Sequence, residues 1–176
     1  GLLPPERLPS IISNASQLGL WPEALDLLEH LSDARRGPIA DVVADQGHDV
    51  IESLVSAVSA AGIWENLLPV VGVMSRSHRF TLASAPAFHH AQVLGEIIHS
   101  ASVTSQWAQL LPLIDALPDR ARQVAADLVA GLDEESVAGL VGAVSTDHLW
   151  PKLLPVVRIL TDQSRSTLAA MRPFHR

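Results

Sequence analysis

Cysteine and tyrosine are absent from this chain, phenylalanine occurs three times and lysine once, at Lys152. Without Cys there is neither a disulfide framework nor a thiolate metal site, so stability has to come from packing, and redox logic says nothing about compartment. Scarcity of Phe and Tyr beside abundant Ala, Leu, Val and Ser argues against a strand-built core and for helices. No apolar run approaches the ~18 residues of a membrane span, and the start, Gly1-Leu2-Leu3-Pro4-Pro5, lacks the basic and apolar segments of a secretory signal. A soluble, cytoplasmic protein without membrane contact is expected. Gly1 stands where an initiator Met would, and the chain closes almost flush with a sequence motif, so it is expected to be either trimmed or one module of something longer. Only 18% of residues are charged, and the net charge of −7 opposes nonspecific binding to a phosphate backbone, which depends on clustered Lys and Arg.

What is present is periodic. The four Trp residues, Trp21, Trp64, Trp107 and Trp150, are each 43 residues apart. The chain therefore contains four copies of one unit. Aligning the copies makes three further columns invariant: Ser16, Ser59, Ser102 and Ser145; Leu25, Leu68, Leu111 and Leu154; Arg36, Arg79, Arg122 and Arg165. Copies are read as residues 7–49, 50–92, 93–135 and 136–176, forming one helical-repeat domain. At 176 residues and 48% hydrophobic content, such a chain buries a real core.

Within a unit, Leu94, Ile97, Ile98 and Ala101 follow the spacing of an amphipathic helix, and the other copies repeat the stripe. Gly19 and Gly62 supply helix stops just before the Trp. A second, nearly all-apolar helix starts at each Trp, with Pro22 and Pro151 in its first turn and Pro69, Pro112 and Pro155 one turn further in, where a bend is expected. Ser32, Ser75 and Thr161 read as N-caps of a third helix, with Asp33, Asp119 and Asp162 beside its positive end. Gly37-Pro38 is expected to disrupt this helix in the first copy, and Pro86 and Pro173 to close it in the second and fourth.

The run Leu110-Leu111-Pro112-Leu113-Ile114, followed by Asp119-Arg120-Ala121-Arg122 and Ala125-Ala126, resembles a HEAT or armadillo repeat. Three copies carry Asp-x-x-Arg, and the second departs with Arg76 in place of Asp. The resemblance implies an all-α fold, an α-α superhelix (a right-handed solenoid) of four roughly three-helix units, whose third helices line a concave face. It implies a fold rather than an activity.

Each recurring residue has a structural and a functional reading. Arg near a helix N-terminus opposes the dipole by roughly 0.3–1 kcal/mol, so a compensating contact is expected, most simply a carboxylate of the neighbouring copy. Arg is equally suited to reading a ligand. The Trp residues are read as anchors filling gaps between copies, and the Ser column as small hydroxyls that permit close packing; no His and acid recur beside them, so nucleophilic chemistry is not expected. Chemistry is hinted at only by His89, His90, Glu96 and His99, because Glu-x-x-His occurs in helical metal sites. The columns of Glu96 and His99, however, hold Ser or Gly in the other copies, so no metal or cofactor is assigned.

The expected function is non-catalytic binding of a protein or peptide on the concave face, with His78, Arg79, Arg122 and Arg165 as contact residues. Two alternatives stand beside it. One is a DNA glycosylase-type enzyme of HEAT-like fold, which would need a basic groove; the other is a small-molecule or metal binder near His89, His90 and His99. Because terminal units normally need polar caps, a homodimer through uncapped ends is also expected.

Overall fold

The computed structural model describes residues 5–171. Among them every regular element is helical, and the order is a short 3-10 turn followed by twelve α-helices, with a second 3-10 turn, Pro86–His89, after the sixth. They fall into four triplets. The first-position helices are α1 (Leu8–Leu18), α4 (His48–Ala61), α7 (Ala91–Thr104) and α10 (Glu134–Thr146). The second-position helices are α2 (Trp21–Glu29), α5 (Trp64–Val73), α8 (Trp107–Ala116) and α11 (Trp150–Arg158). The third-position helices are α3 (Asp33–Ala44), α6 (Arg76–Ala83), α9 (Asp119–Ala130) and α12 (Asp162–Ala169). No helix of the described residues is long and apolar enough to cross a membrane.

Each Trp is the first residue of a second-position helix, as its sequence position predicts. The stop before it is a residue in the left-handed region in every copy: Gly19 at φ 68°, Gly62 at 66°, Ser105 at 57° and His148 at 54°. Two copies place Gly there, where no Cβ opposes the conformation, and two place residues that carry the steric cost. The backbone geometry is thus more regular than the sequence.

Third-position helices differ in length, at 12, 8, 12 and 8 residues. Gly37-Pro38 does not interrupt α3. The helix runs through Pro38 because Ala40, Val43 and Ala44 beyond it are buried, and this packing outweighs one lost backbone hydrogen bond. A Cβ on Gly37 would meet the Val73 carbonyl at 3.5 Å, an ordinary contact, where α3 packs against α5. In the second copy α6 stops at Ala83, ahead of Pro86, which opens the 3-10 turn. Pro173 lies outside the described residues. The unit boundaries shift as well: divisions after residues 49, 92 and 135 each cut two residues into α4, α7 and α10. Those helices start at their caps, Gly47, His90 and Asp133, rather than at the first apolar position of the stripe.

Helices at the same position in adjacent triplets touch: α2 with α5, α5 with α8, α8 with α11, α1 with α4, α7 with α10, α3 with α6, and α9 with α12. The inner second-position helices contribute heavily to the core, with Leu67, Leu68, Val70 and Val71 in α5 and Leu110, Leu111, Leu113 and Ile114 in α8. A single buried cluster runs from Ile12 to Leu168.

Candidate ligand-binding cleft

The recurring Arg column has one structural role. Arg36 donates from Nε to the Leu28 carbonyl at 3.0 Å, and from Nη2 to the carbonyls of Glu29 at 2.9 Å and Leu31 at 2.8 Å. Arg79 repeats this with Val71, Gly72 and Met74 at 3.3, 3.3 and 2.8 Å. Arg122 retains the Leu117 carbonyl through Nε and Nη2, and Arg165 the Arg158 carbonyl. In each copy the guanidinium thus caps the C-terminal end of the preceding helix, where unsatisfied carbonyls and the negative pole of the dipole favour a cation. This replaces the expected carboxylate from a neighbouring copy as the main compensation. The Asp of Asp-x-x-Arg adds ion pairs within the same helix, at 3.5, 3.4 and 3.7 Å, but these Asp side chains are almost fully exposed and contribute little. Arg79, which has no such Asp, is the copy with neighbouring charges. Burial lowers its pKa from the ordinary Arg value, while Asp115 and Asp41 of the flanking copies oppose that shift.

His78 is placed elsewhere than its neighbour. Its Nδ1 lies 2.6 Å from Ser75 Oγ and 3.4 Å from the Asp41 carboxylate, and its Nε2 lies 3.1 Å from Asp45. Ser75 caps α6 by accepting from the His78 N–H, and its own N–H donates to Asp41 at 2.9 Å. His78 therefore ties α6 to the end of α3, whereas Arg79 on the same helix caps the end of α5. Of the expected caps, Thr161 accepts from the Ser164 N–H, while Ser32 has the extended backbone of an N-cap but makes no side-chain bond there. Asp133 caps α10 through the Ser136 N–H at 2.7 Å, and that bond lowers its pKa.

The Trp and Ser columns are joined across units. Trp21 Nε1 donates to Ser53 Oγ at 3.3 Å, and Trp64 Nε1 donates to Glu96 at 3.1 Å, each partner being 32 residues further on. Glu96 also accepts from Ser59 at 2.5 Å and from Gln92 at 3.2 Å. These donors, Ser59 foremost, hold the carboxyl below its ordinary pKa. Ser59 thus does more than permit close packing, since it donates to a side chain of the next unit. The equivalent partner of Trp107 is Gly139, and the buried Trp107 Nε1 has no hydrogen-bond partner among the described residues.

This arrangement does not assemble His89, His90, Glu96 and His99. Glu96 is taken up by the Trp64 contact, His89 lies 3.0 Å from the Ala83 carbonyl, and His90 and His99 are exposed. His90 lines a separate shallow hollow of about 680 Å³ between α4 and α7 with Glu52, Ser56 and Ser59. Among the described residues no three His, Asp or Glu side chains gather where they could hold a metal ion.

The cleft with mixed chemistry lies between α6, α8 and α11. It has a volume of about 330 Å³ and is lined by Arg76, Arg79 and Phe80 from α6, Pro112, Asp115 and Ala116 from α8, and Lys152 from α11. Phe80 is exposed although large and apolar. Arg76 and Lys152 supply cations and Asp115 one anion. Of the four contact residues expected from the sequence, only Arg79 lines this cleft; Arg122 and Arg165 lie on α9 and α12.

The residues that sequence reasoning missed, Arg76, Phe80, Asp115 and Lys152, share a signal. Each departs from its column: Arg76 replaces Asp, Phe80 stands against Gly37, Gln123 and Ser166, Asp115 against Glu29, Gly72 and Arg158, and Lys152 against Glu23, Asn66 and Gln109. A residue repeated in every copy performs a task that every copy needs, and here that task is capping. A binding site belonging to one place in the molecule is built from departures.

Compared with known proteins, the chain matches no family model, no curated protein and no solved structure.

Proposed function

We propose that the chain is a non-catalytic protein- or peptide-binding scaffold, in which four units stack as a short right-handed superhelix and an extended segment of a partner lies in the cleft between α6, α8 and α11. Contacts between like-positioned helices of adjacent triplets support the stacking, as does the HEAT- or armadillo-like motif. The observation that carries the binding reading is exposed Phe80 sharing one cleft with Arg76 and Lys152. A partner segment suited to that lining places an apolar side chain against Phe80 and Pro112 and flanks it with carboxylates that meet the two cations. Arg79, held by three carbonyls, forms a fixed wall of the cleft. Aromatic and Arg side chains are the usual anchors of such contacts. The net negative charge of the chain leaves this cleft as a local site of opposite sign rather than an extended basic groove of the kind DNA requires.

Selection of random linear peptides against the wild-type protein should enrich an apolar residue flanked by Asp or Glu. Binding of an enriched peptide should fall at least about tenfold in Phe80→Ala and in the Arg76→Glu/Lys152→Glu pair, each ~1.4 kcal/mol or more. Unchanged affinity in both variants, with folding intact, would falsify the cleft assignment.

A further inference from the structure

The first and last triplets expose different halves of the surface that inner units bury against one another. In the inner triplets, Trp64 and Trp107, with Leu68 and Leu111, are at most 3% exposed, and so are Trp21 and Leu25 in the first. In the last triplet their counterparts Trp150 and Leu154 are 39% and 46% exposed. The first triplet shows the reverse. Its Ile11 and Leu27 are 41% and 67% exposed, whereas the same columns in the other three, Leu54, Ile97 and Leu140, and Val70, Leu113 and Val156, are at most 2% exposed. The Trp/Leu columns therefore face the following unit, and the Ile11/Leu27 columns face the preceding one. Around Ile11 and Leu27 lies an apolar hollow of about 490 Å³, to which Ile12, Ala24, Leu31 and Ile39 contribute.

Polar columns identify what fits there. Glu29 and Asn66 meet at 3.4 Å across the first unit boundary, 37 residues apart. At the second boundary the same columns bring Gln109 so close to Gly72 that a Cβ on the glycine would lie 2.8 Å from Gln109 Cγ. At the third they place Asp115 and Lys152 in one cleft. Continuing that series, the last triplet presents exposed Arg158 and the first presents exposed Glu23, a pair of opposite charge. The Trp series continues in the same way. Trp21 donates to Ser53 and Trp64 to Glu96; the corresponding residue for Trp150 is exposed Ser10 of a first triplet.

We propose that this chain associates head to tail, the Trp150/Leu154 face of one copy seating in the Ile11/Leu27 hollow of a second copy. Arg158 pairs with Glu23, and the Trp150 indole reaches Ser10. A contact between two unlike faces is heterologous and leaves one free face of each kind at the ends, so it extends rather than closing at two copies. The inference goes beyond the binding cleft, whose Phe80, Arg76 and Lys152 take no part in it.

Sedimentation velocity over a wide concentration range tests this. The wild type should grow in mass with concentration, without a stop at the dimer. Leu27→Glu and Leu154→Glu each place a carboxylate on one exposed face and should each weaken self-association at least about tenfold. Mixed together they should form a one-to-one dimer, because each supplies the intact face that the other lacks. Wild type that stays monomeric at every concentration overturns the proposal. So does Leu154→Glu that self-associates as well as wild type, since the contact would then pair two first-triplet faces. Should either variant lose its circular dichroism, the exposed pair serves instead: Arg158→Glu should weaken association, and Glu23→Arg in the same chain should restore it. Failure of restoration overturns the assigned register.

Discussion

Trp64 and Glu96 are joined by an indole N–H that donates to a carboxylate oxygen at 3.1 Å, linking the second helical unit to the third. The same carboxylate accepts from Ser59, so two invariant columns of one unit converge on one side chain of the next. The Glu that resembled a metal ligand in sequence is instead a fastening between units.

That fastening predicts a pH dependence. Because hydrogen bonds from Ser59, Trp64 and Gln92 lower the folded-state pKa of Glu96, its contribution is complete at neutral pH and is lost as pH falls through the depressed folded value. Glu96→Gln should cost about 1 kcal/mol at pH 7, a figure kept at the low end for a partly exposed group. Urea unfolding of both proteins should show this gap closing on acidification. A gap independent of pH would mean that the shape of the side chain, not its charge, matters.

Gly139 is where this device is missing. A Cβ there meets nothing within 4 Å, and the column holds Ser in the first two copies' equivalents, Ser10 and Ser53. Gly139→Ser should gain about 1 kcal/mol, combining helix propensity with a partner for the buried Trp107 N–H. Gly139→Ala separates the two effects, since it supplies propensity alone. Equal stability of the two variants would argue against the hydrogen bond.

The left-handed residues Ser105 and His148 mark a second irregularity. Replacing either by Gly removes a steric cost of about 1–2 kcal/mol and adds backbone entropy to the unfolded chain worth about half of that. A net gain of up to about 1 kcal/mol in thermal or urea unfolding is expected for each. Ala at either position should give no gain.

The Arg column predicts a graded series. Arg36 is buried and serves three carbonyls, Arg122 is partly buried and serves one, and Arg165 is half exposed and serves one. Substitution by Met should therefore cost about 2–3 kcal/mol at Arg36, less at Arg122, and under about 1 kcal/mol at Arg165. Asp33→Asn should change little, because the ion pair it removes is exposed. Equal costs along the series would mean that capping is not what the column provides.

The sequence by itself determined the helical class, the 43-residue period, the start of every second helix at a Trp and the glycine stops at Gly19 and Gly62, because these follow from local periodicity and from backbone preferences of single residues. Gly37-Pro38 was misleading for the same reason: local propensity marks a break, and burial beyond Pro38 overrides it. Only the tertiary structure decided what the invariant residues touch. The Arg column could have met a neighbouring carboxylate, a ligand or a helix end, and those choices differ by side-chain reach of a few ångströms, which spacing along a chain does not encode. The cleft follows the same logic. Arg76, Phe80, Asp115 and Lys152 are scattered over three helices of three units, and it is helix packing that brings them to one place.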